Sequence, residues 1–226
     1  MAHIGKAAAS QIMSGSGWLT AVPPEVRAEV LRRSNLLHFA AEEPVFRLDD
    51  PAGGIYGLAS GTVSVSVAPA GATPRLVLLG IPGHWTGEGC FLTRKPRRAD
   101  MKAVVDTTML HLPLDAMDKM AAKNPHFVHH VAQILMMTVE FLFRVIHDLQ
   151  KADAAKRIAA VLHRATSSGE TPVPLTQTEV GIMANASRKQ VNAALRKFSE
   201  TGWVQNGYRA ITVTDAVALR RFAGSN

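Results

Sequence analysis

LTQTEVGIMANASRKQVNAALRKFSETGWV, residues 175–204, divides into two amphipathic segments at Asn185. Thr176 predicts the cap of a short helix running to about Ala184, with Val180 and Met183 facing inward. A hydroxyl at that point accepts from the free N–H groups of the first helical turn. Asn185 takes the left-handed turn that glycine otherwise fills. Ser187 then caps a second helix, on which Val191, Ala194, Leu195 and Phe198 form one apolar stripe. Arg188, Lys189, Asn192 and Arg196 are left on the opposite face. Two helices joined by so short a turn predict a helix-turn-helix. The outward residues are of the types that duplex base edges select: Arg for guanine, Asn for adenine, Lys for phosphate or guanine. Thr176, Gln177 and Ser187 join them as DNA-binding positions at the helix starts, where backbone N–H groups point at phosphates. Lys197 is expected to contact phosphate alone.

Downstream, Trp203-Val204 and Arg209 to Val213 read as two strands around the hairpin dipeptide Asn206-Gly207, which makes a wing. Arg209 stands where such a wing reaches the DNA backbone. A helical interaction module without DNA is the competing reading of the same pattern.

Upstream, Asp153 predicts the cap of a helix over AAKRIAAVLHRAT, which Ser167-Ser168-Gly169 ends. Before it, Val128, Ala132, Leu135, Val139, Leu142, Ile146 and Leu149 are spaced alternately by 4 and 3 with no Gly or Pro between them. Such a seam wants a partner helix, and the simplest partner is the same helix of a second copy, giving a homodimer through helix 126–150. Phe127, Val131, Ile134, Phe141 and Val145 supply a second stripe that can pack on the chain itself.

From 44 to 112 the chain is short runs of Val, Leu, Ile and Thr broken by Gly and Pro, including PVFRL, IYGLASGTVSVSV, PRLVLLGI, HWTGE and TMLHL. They read as antiparallel strands of a roll or barrel. Val63, Val65 and Val67 alternate with Thr62, Ser64 and Ser66, a strand with one wet face. A helix over PPEVRAEVLRRS covers one end of the roll. The fold class expected is α+β, with a β-roll over 1–123, a dimerisation helix over 124–152 and a winged helix-turn-helix over 153–226.

The 226 residues carry a net charge of +7. From Asp153 to Asn226, ten basic residues face five acidic ones, so +5 of that charge lies in the final third, as polyanion binding requires. The single cysteine, Cys90, excludes an internal disulfide and multi-cysteine metal or iron-sulfur sites. With no run of about 18 apolar residues and no signal-peptide core, a soluble, cytoplasmic protein without a membrane partner is expected.

On these residues the chain resembles the CRP/FNR family of dimeric bacterial transcription regulators, and the likeness extends over nearly its whole length. TQTEVGIMANASRKQVNAAL resembles the family's helix-turn-helix signature, with Glu179, Gly181, Ser187, Arg188 and Val191 at matching positions. DAAKRIAAVL resembles its hinge, while Gly61 to Val63 and PGHWTGEGCFLTRKPRRA resemble its β-roll and nucleotide-phosphate cassette. The resemblance implies that Arg188 reads guanine. It departs at Lys189, where Glu is usual, and at Ala193, where an arginine is usual. Lysine cannot accept a hydrogen bond from cytosine, so the operator differs from the family's best-known one. RNA polymerase is an expected further partner.

In members that bind a cyclic nucleotide, the cassette implies that Gly87 and Glu88 hold the ribose hydroxyl and that Arg97 forks onto the phosphate. The departures here are Gly89, Arg98 beside the phosphate, and Leu142 and Phe143 where Thr and Ser would meet the base. An effector site of Gly87, Glu88, Arg97, Arg98, Leu142 and Phe143 is thus one expectation, and a regulator without effector, or with an apolar ligand near Leu142 and Phe143, is another. Haem needs axial ligands, and His84, His111, His129, His130 and Cys90 follow no specific spacing. No catalytic or metal site is expected. Two further readings compete: a cupin-like metal enzyme using His84, Glu88 and His111, and a sensor whose C-terminal unit binds a protein.

Overall fold

The computed structural model describes residues 4–69, 71–166, 171–207 and 210–225. The chain forms two compact units, Met1–Pro74 with Leu79–Glu140, and Arg75–Leu78 with Phe141–Asn226.

The first unit opens with α1 (Lys6–Ser14), a single 3-10 turn (Gly17–Thr20) and α2 (Pro24–Arg33). The strands follow in chain order as β1 (Asn35–Phe39), β2 (Pro44–Phe46), β3 (Ile55–Ser60), β4 (Val63–Val67), β5 (Arg75–Gly80, of which Arg75–Leu78 is grouped with the second unit), β6 (Trp85–Thr86), β7 (Asp100–Ala103) and β8 (Thr107–Leu112). Helix α3 (Glu88–Thr93) lies between β6 and β7, and α4 (Leu114–Lys123) leads into α5 (Phe127–Leu149). Two antiparallel sheets, in the orders β1-β8-β3-β6 and β2-β7-β4-β5, make the roll. The alternation read at Val63 and Val65 sets the register of β4, which places them opposite Ala103 and Met101 of β7. HWTGE, expected as a strand, is strand only at Trp85–Thr86, because Gly87 takes a left-handed conformation and Glu88 begins α3.

Two apolar clusters hold this unit. The larger joins Trp18, Leu19, Trp85, Leu110, Met117, Phe127, Val131 and Ile134, and the smaller joins Phe46, Leu58, Val63, Met101 and Met109. Trp18 meets Trp85 edge to face at 5.5 Å and donates its Nε1–H to the carbonyl of His130 at 2.6 Å, so the start of α5 is fixed by an aromatic anchor and a hydrogen bond. Each fully buried large side chain contributes about 1.5–3 kcal/mol.

The two stripes of α5 are treated differently. Phe127, Val131, Ile134 and Val145 are buried, whereas the seam positions Val128, Leu135, Ile146 and Leu149 are exposed, Ile146 by 54%. By length and a mean hydropathy of 1.2, α5 is also apolar enough to cross a membrane. It contains no continuous run of about 18 apolar residues, as the sequence reading states, because Gln133, Glu140 and Arg144 interrupt it while leaving the average high.

The second unit contains α6 (Ala154–Arg164), β9 (Thr171–Val173), α7 (Gln177–Ala184), α8 (Arg188–Glu200), β10 (Val204–Gly207), β11 (Ala210–Val213) and α9 (Ala216–Gly224). Asp153 caps α6 by accepting from the Ala155 N–H at 2.8 Å. Helix α6 ends at Arg164, and the stop expected at Ser167-Ser168-Gly169 lies outside the described residues. The sheet runs β10-β11-β9. Asn206 and Gly207 are not the hairpin turn: they lie in β10, paired with Ile211 and Ala210 of β11. Burial of Ile211 and Val213 fixes that register and carries the ladder past the dipeptide.

Candidate nucleic-acid interface

Both helices of the helix-turn-helix are locked by reciprocal caps. Thr176 N–H donates to Glu179 Oε2 at 2.7 Å while Glu179 N–H donates to Thr176 Oγ1 at 3.2 Å. Ser187 N–H donates to Gln190 Oε1 at 2.9 Å while Gln190 N–H donates to Ser187 Oγ at 3.3 Å. Two free N–H groups are satisfied at each start, an arrangement that fixes where the helix begins. The hydroxyls of Thr176 and Ser187 are thus engaged by their own helices. Between them Asn185 is left-handed at φ 45°. The turn closes where the Ala186 N–H donates to the Gly181 carbonyl at 2.9 Å. Gly181 must stay bare for that approach, since a Cβ there would lie 2.9 Å from the Ala186 carbonyl oxygen.

The expected stripe of α8, Val191, Ala194, Leu195 and Phe198, is buried. Phe198 packs with Trp203 and Phe222, each ring pair within 5.7 Å. Arg188, Lys189, Asn192 and Arg196 are exposed on the other side, with Gln177 exposed at the start of α7. Gln177, Asn192, Arg196, Ser199, Glu200 and Asn206 line one groove of about 660 Å³ between α8 and the wing strand β10. Ser199, Glu200 and Asn206 line it beside the expected positions Gln177, Asn192 and Arg196. Arg196 donates its Nε–H to Glu200 Oε1 at 3.0 Å. Lys197 is exposed and holds its ammonium 4.4 Å from the Phe222 ring centre, a cation–π contact with α9. Arg209 lies outside the described residues.

The cassette of the roll brings three of its expected residues together. Glu88 and Arg97 are buried, 6% and 4% exposed. Arg97 donates from Nη2 to the Gly54 carbonyl at 2.8 Å and from Nη1 to the Gly87 carbonyl at 3.4 Å. Its guanidinium lies 4.5 Å from the Phe46 ring centre and 5.4 Å from that of Tyr56. A Cβ at Gly87, whose φ is 97°, would sit 2.7 Å from Arg97 Nη1, so glycine makes room for the arginine itself. Burial pushes the Glu88 carboxyl above its usual range, against the pull of the neighbouring backbone N–H groups and of Arg97. Arg98 is exposed, and Leu142 and Phe143 belong to the second unit, Phe143 being 64% exposed. Within the roll, Arg97 is therefore already bonded to main-chain carbonyls of its own unit.

His84, Glu88 and His111 form no metal group, and no cluster of three or more His, Cys, Asp or Glu among the described residues is arranged to hold a metal. Burial pushes the imidazoles of His84 and His111 below their ordinary value, and His111 stacks on Tyr56 at 4.4 Å.

The sequence and structure match known proteins at both ends. The cyclic nucleotide-binding domain family matches residues 36–124, and the Crp-like helix-turn-helix domain family matches residues 156–222. The chain belongs to the CRP/FNR family. Members of this family are DNA-binding transcription regulators, and the helix-turn-helix is this member's DNA-binding element. Among its relatives, the CRP-like cAMP-activated global transcriptional regulator of Mycobacterium tuberculosis is 24% identical over 222 residues, covering 94% of this chain and 99% of that protein. The cyclic AMP receptor protein of Thermus thermophilus is 26% identical, covering 93% and 98%. The structure of FixK2 from Bradyrhizobium japonicum superposes on this CRP/FNR fold with a TM-score of 0.71 at 17% identity, covering 85% and 98%.

Proposed function

We propose that this CRP/FNR regulator acts as a homodimer on an inverted-repeat operator, paired through the α5 seam. The observation that carries the reading is the division of α5: one stripe is buried within the chain, while Val128, Leu135, Ile146 and Leu149 of the seam remain exposed and Ala132, Val139 and Leu142 between them are half-buried, a face that a second copy satisfies. The pairing, with Glu140 and Arg144 on the same helix, supports a dimer seam over a bilayer span and a cytoplasmic setting. Two recognition helices then enter successive major grooves about 34 Å apart. Arg188 reads guanine in each half-site, and RNA polymerase is the partner through which the bound dimer alters transcription. Sedimentation of the protein with duplexes carrying one or two half-sites tests this. Two chains on the repeat support the reading, and one chain on an asymmetric site contradicts it.

The state of Arg97 supports a second reading, that DNA binding needs no cyclic nucleotide. Its guanidinium donates to the Gly54 and Gly87 carbonyls, so Arg97 has hydrogen-bond partners within the roll itself. Operator affinity measured with and without cyclic AMP or cyclic GMP is expected to be the same. A tenfold gain with either nucleotide would overturn this reading without touching the first.

A further inference from the structure

The first unit holds a cavity of about 200 Å³ bounded by three segments of chain: the turn at 16–18, the turn at 81–85, and Ile134, Met137 and Thr138 of α5. Gly87, Glu88 and Arg97 are not among its lining residues. The two turns meet through bare backbone. Gly17 and Gly83 are left-handed, at φ 62° and 95°, and a Cβ on Gly17 would stand 2.0 Å from the Gly83 carbonyl oxygen. Among the described residues, no Lys, Arg, Asp or Glu lines the cavity, and burial holds the His84 imidazole below its ordinary value, so the walls are uncharged at neutral pH. Two of those walls are indole rings, Trp18 and Trp85, set edge to face. Their polar ends differ. Trp18 Nε1–H donates to the His130 carbonyl, whereas the Nε1–H of the buried Trp85 finds no acceptor among the described residues. A buried indole N–H ordinarily has a partner, so an unpaired one belonging to a cavity wall marks a place for an incoming acceptor.

We propose that this cavity is an effector site for a small, uncharged aromatic molecule carrying one hydrogen-bond acceptor, which takes the Trp85 Nε1–H. Volume sets the size: an apolar cavity of about 150 Å³ binds benzene, so about 200 Å³ admits one substituted ring. Indole walls receive another ring edge-on or offset, and the unbranched thioether of Met137, 42% exposed, adapts to its shape. Ile134, Met137 and Thr138 lie on α5 outside the seam of Val128, Leu135 and Ile146, so a ligand there leaves the seam open to a second chain. By clamping α5 to the two turns it acts on the helix through which the chains pair. The effector role rests on the dimeric DNA-binding reading, whereas the site itself does not.

Nitrogen-15 NMR of the full-length protein tests it, with the three tryptophan indole resonances assigned by replacing each Trp singly with Phe. The probes are acetophenone, ethylbenzene and benzoate. Acetophenone is expected to move the Trp85 resonance downfield saturably and to bind roughly 2- to 12-fold more tightly than ethylbenzene, the difference that one hydrogen bond makes. Benzoate, which brings a charge, should not bind. Trp85→Phe should remove the preference for acetophenone. Thr138→Phe, which fills the cavity with a ring of its own, should abolish binding of both compounds without lowering the melting temperature. Saturating acetophenone should shift the affinity of the wild type for its selected duplex by roughly fivefold or more. No saturable shift with any probe overturns the site, and benzoate or ethylbenzene binding as tightly as acetophenone overturns the ligand class. Saturable binding with unchanged duplex affinity overturns the effector role. The comparison of probes on the wild type stands whether or not either variant folds. Failure of the wild type to bind any duplex would instead sink the DNA-binding reading and leave the titration of the site intact.

Discussion

Arg157, in the first turns of α6, donates from Nη2 to the carbonyl oxygen of Asn185 at 3.0 Å, tying the segment after α5 to the turn of the helix-turn-helix. The same guanidinium donates from Nε to Ala184 at 2.8 Å and from Nη1 to the carbonyls of Lys151 and Ala152 at 2.5 and 3.0 Å. One planar cation thus gathers four main-chain acceptors from two separate stretches, filling the free carbonyls at the end of α7.

Arg157→Ala is expected to lower the stability of the second unit by about 2 kcal/mol, since charge-assisted hydrogen bonds are worth about 1.5–3 kcal/mol each and water replaces part of the loss. Arg157→Lys should recover little, because an ammonium cannot span the four carbonyls. Denaturant unfolding of both variants checks this, and a lysine variant as stable as the wild type contradicts it.

A second tie involves Asp148 near the end of α5, which accepts from both Arg164 and Lys151. The side chains of Arg164 and Asp148 are only 14% and 16% exposed, so removing the carboxylate strands a mostly buried guanidinium. Asp148→Ala should cost about 2 kcal/mol or more, and Arg164→Met in that background should restore part of it. Additive losses in the double variant would show that the two residues do not act as a pair.

Glu88 predicts a pH dependence. Burial raises its carboxyl above the ordinary 4.5, so folding is favoured with the proton on. That contribution is full below the ordinary value and is lost as pH rises through the raised one. Glu88→Gln, which keeps a neutral acceptor, should match the wild type in thermal melts near pH 4 and exceed it increasingly toward neutral pH. A difference independent of pH would refute burial of the carboxyl as the cause.

The exposed seam gives the fourth expectation. Leu135→Glu with Ile146→Glu places charge on two seam positions that are 42% and 54% exposed in the single chain, so folding should survive while pairing does not. Light scattering should report a monomer, and affinity for an inverted repeat should fall by about 100-fold or more as the second half-site contact is lost. A stable dimer would place the interface elsewhere.

The helix-turn-helix was legible because its determinants are local: Thr176 with Glu179, Ser187 with Gln190, and the stripe from Val191 to Phe198 all lie within a few turns of chain. The roll was legible as antiparallel strands, whereas α3 and β9 were not. Helix α3 starts at a left-handed Gly87 made necessary by Arg97 ten residues away, and β9 is defined by its pairing with β11. Asn206-Gly207 carries a hairpin signal, yet the cross-strand partner Ile211 holds it in the ladder. The partners of Arg157 and Arg97 are main-chain carbonyls from distant segments, and carbonyls leave no trace in residue type. Lys197 shows the same limit, since its ring partner sits on α9, a helix that the sequence reading did not anticipate.

The most direct measurement is the stoichiometry and sequence of what the wild type selects from random duplex DNA. The predicted result is an inverted repeat with half-sites about one helical turn apart, two chains per duplex and an affinity that falls steeply with salt. An asymmetric site held by one chain, or no enriched sequence with salt-insensitive binding, would contradict a dimeric, sequence-reading regulator.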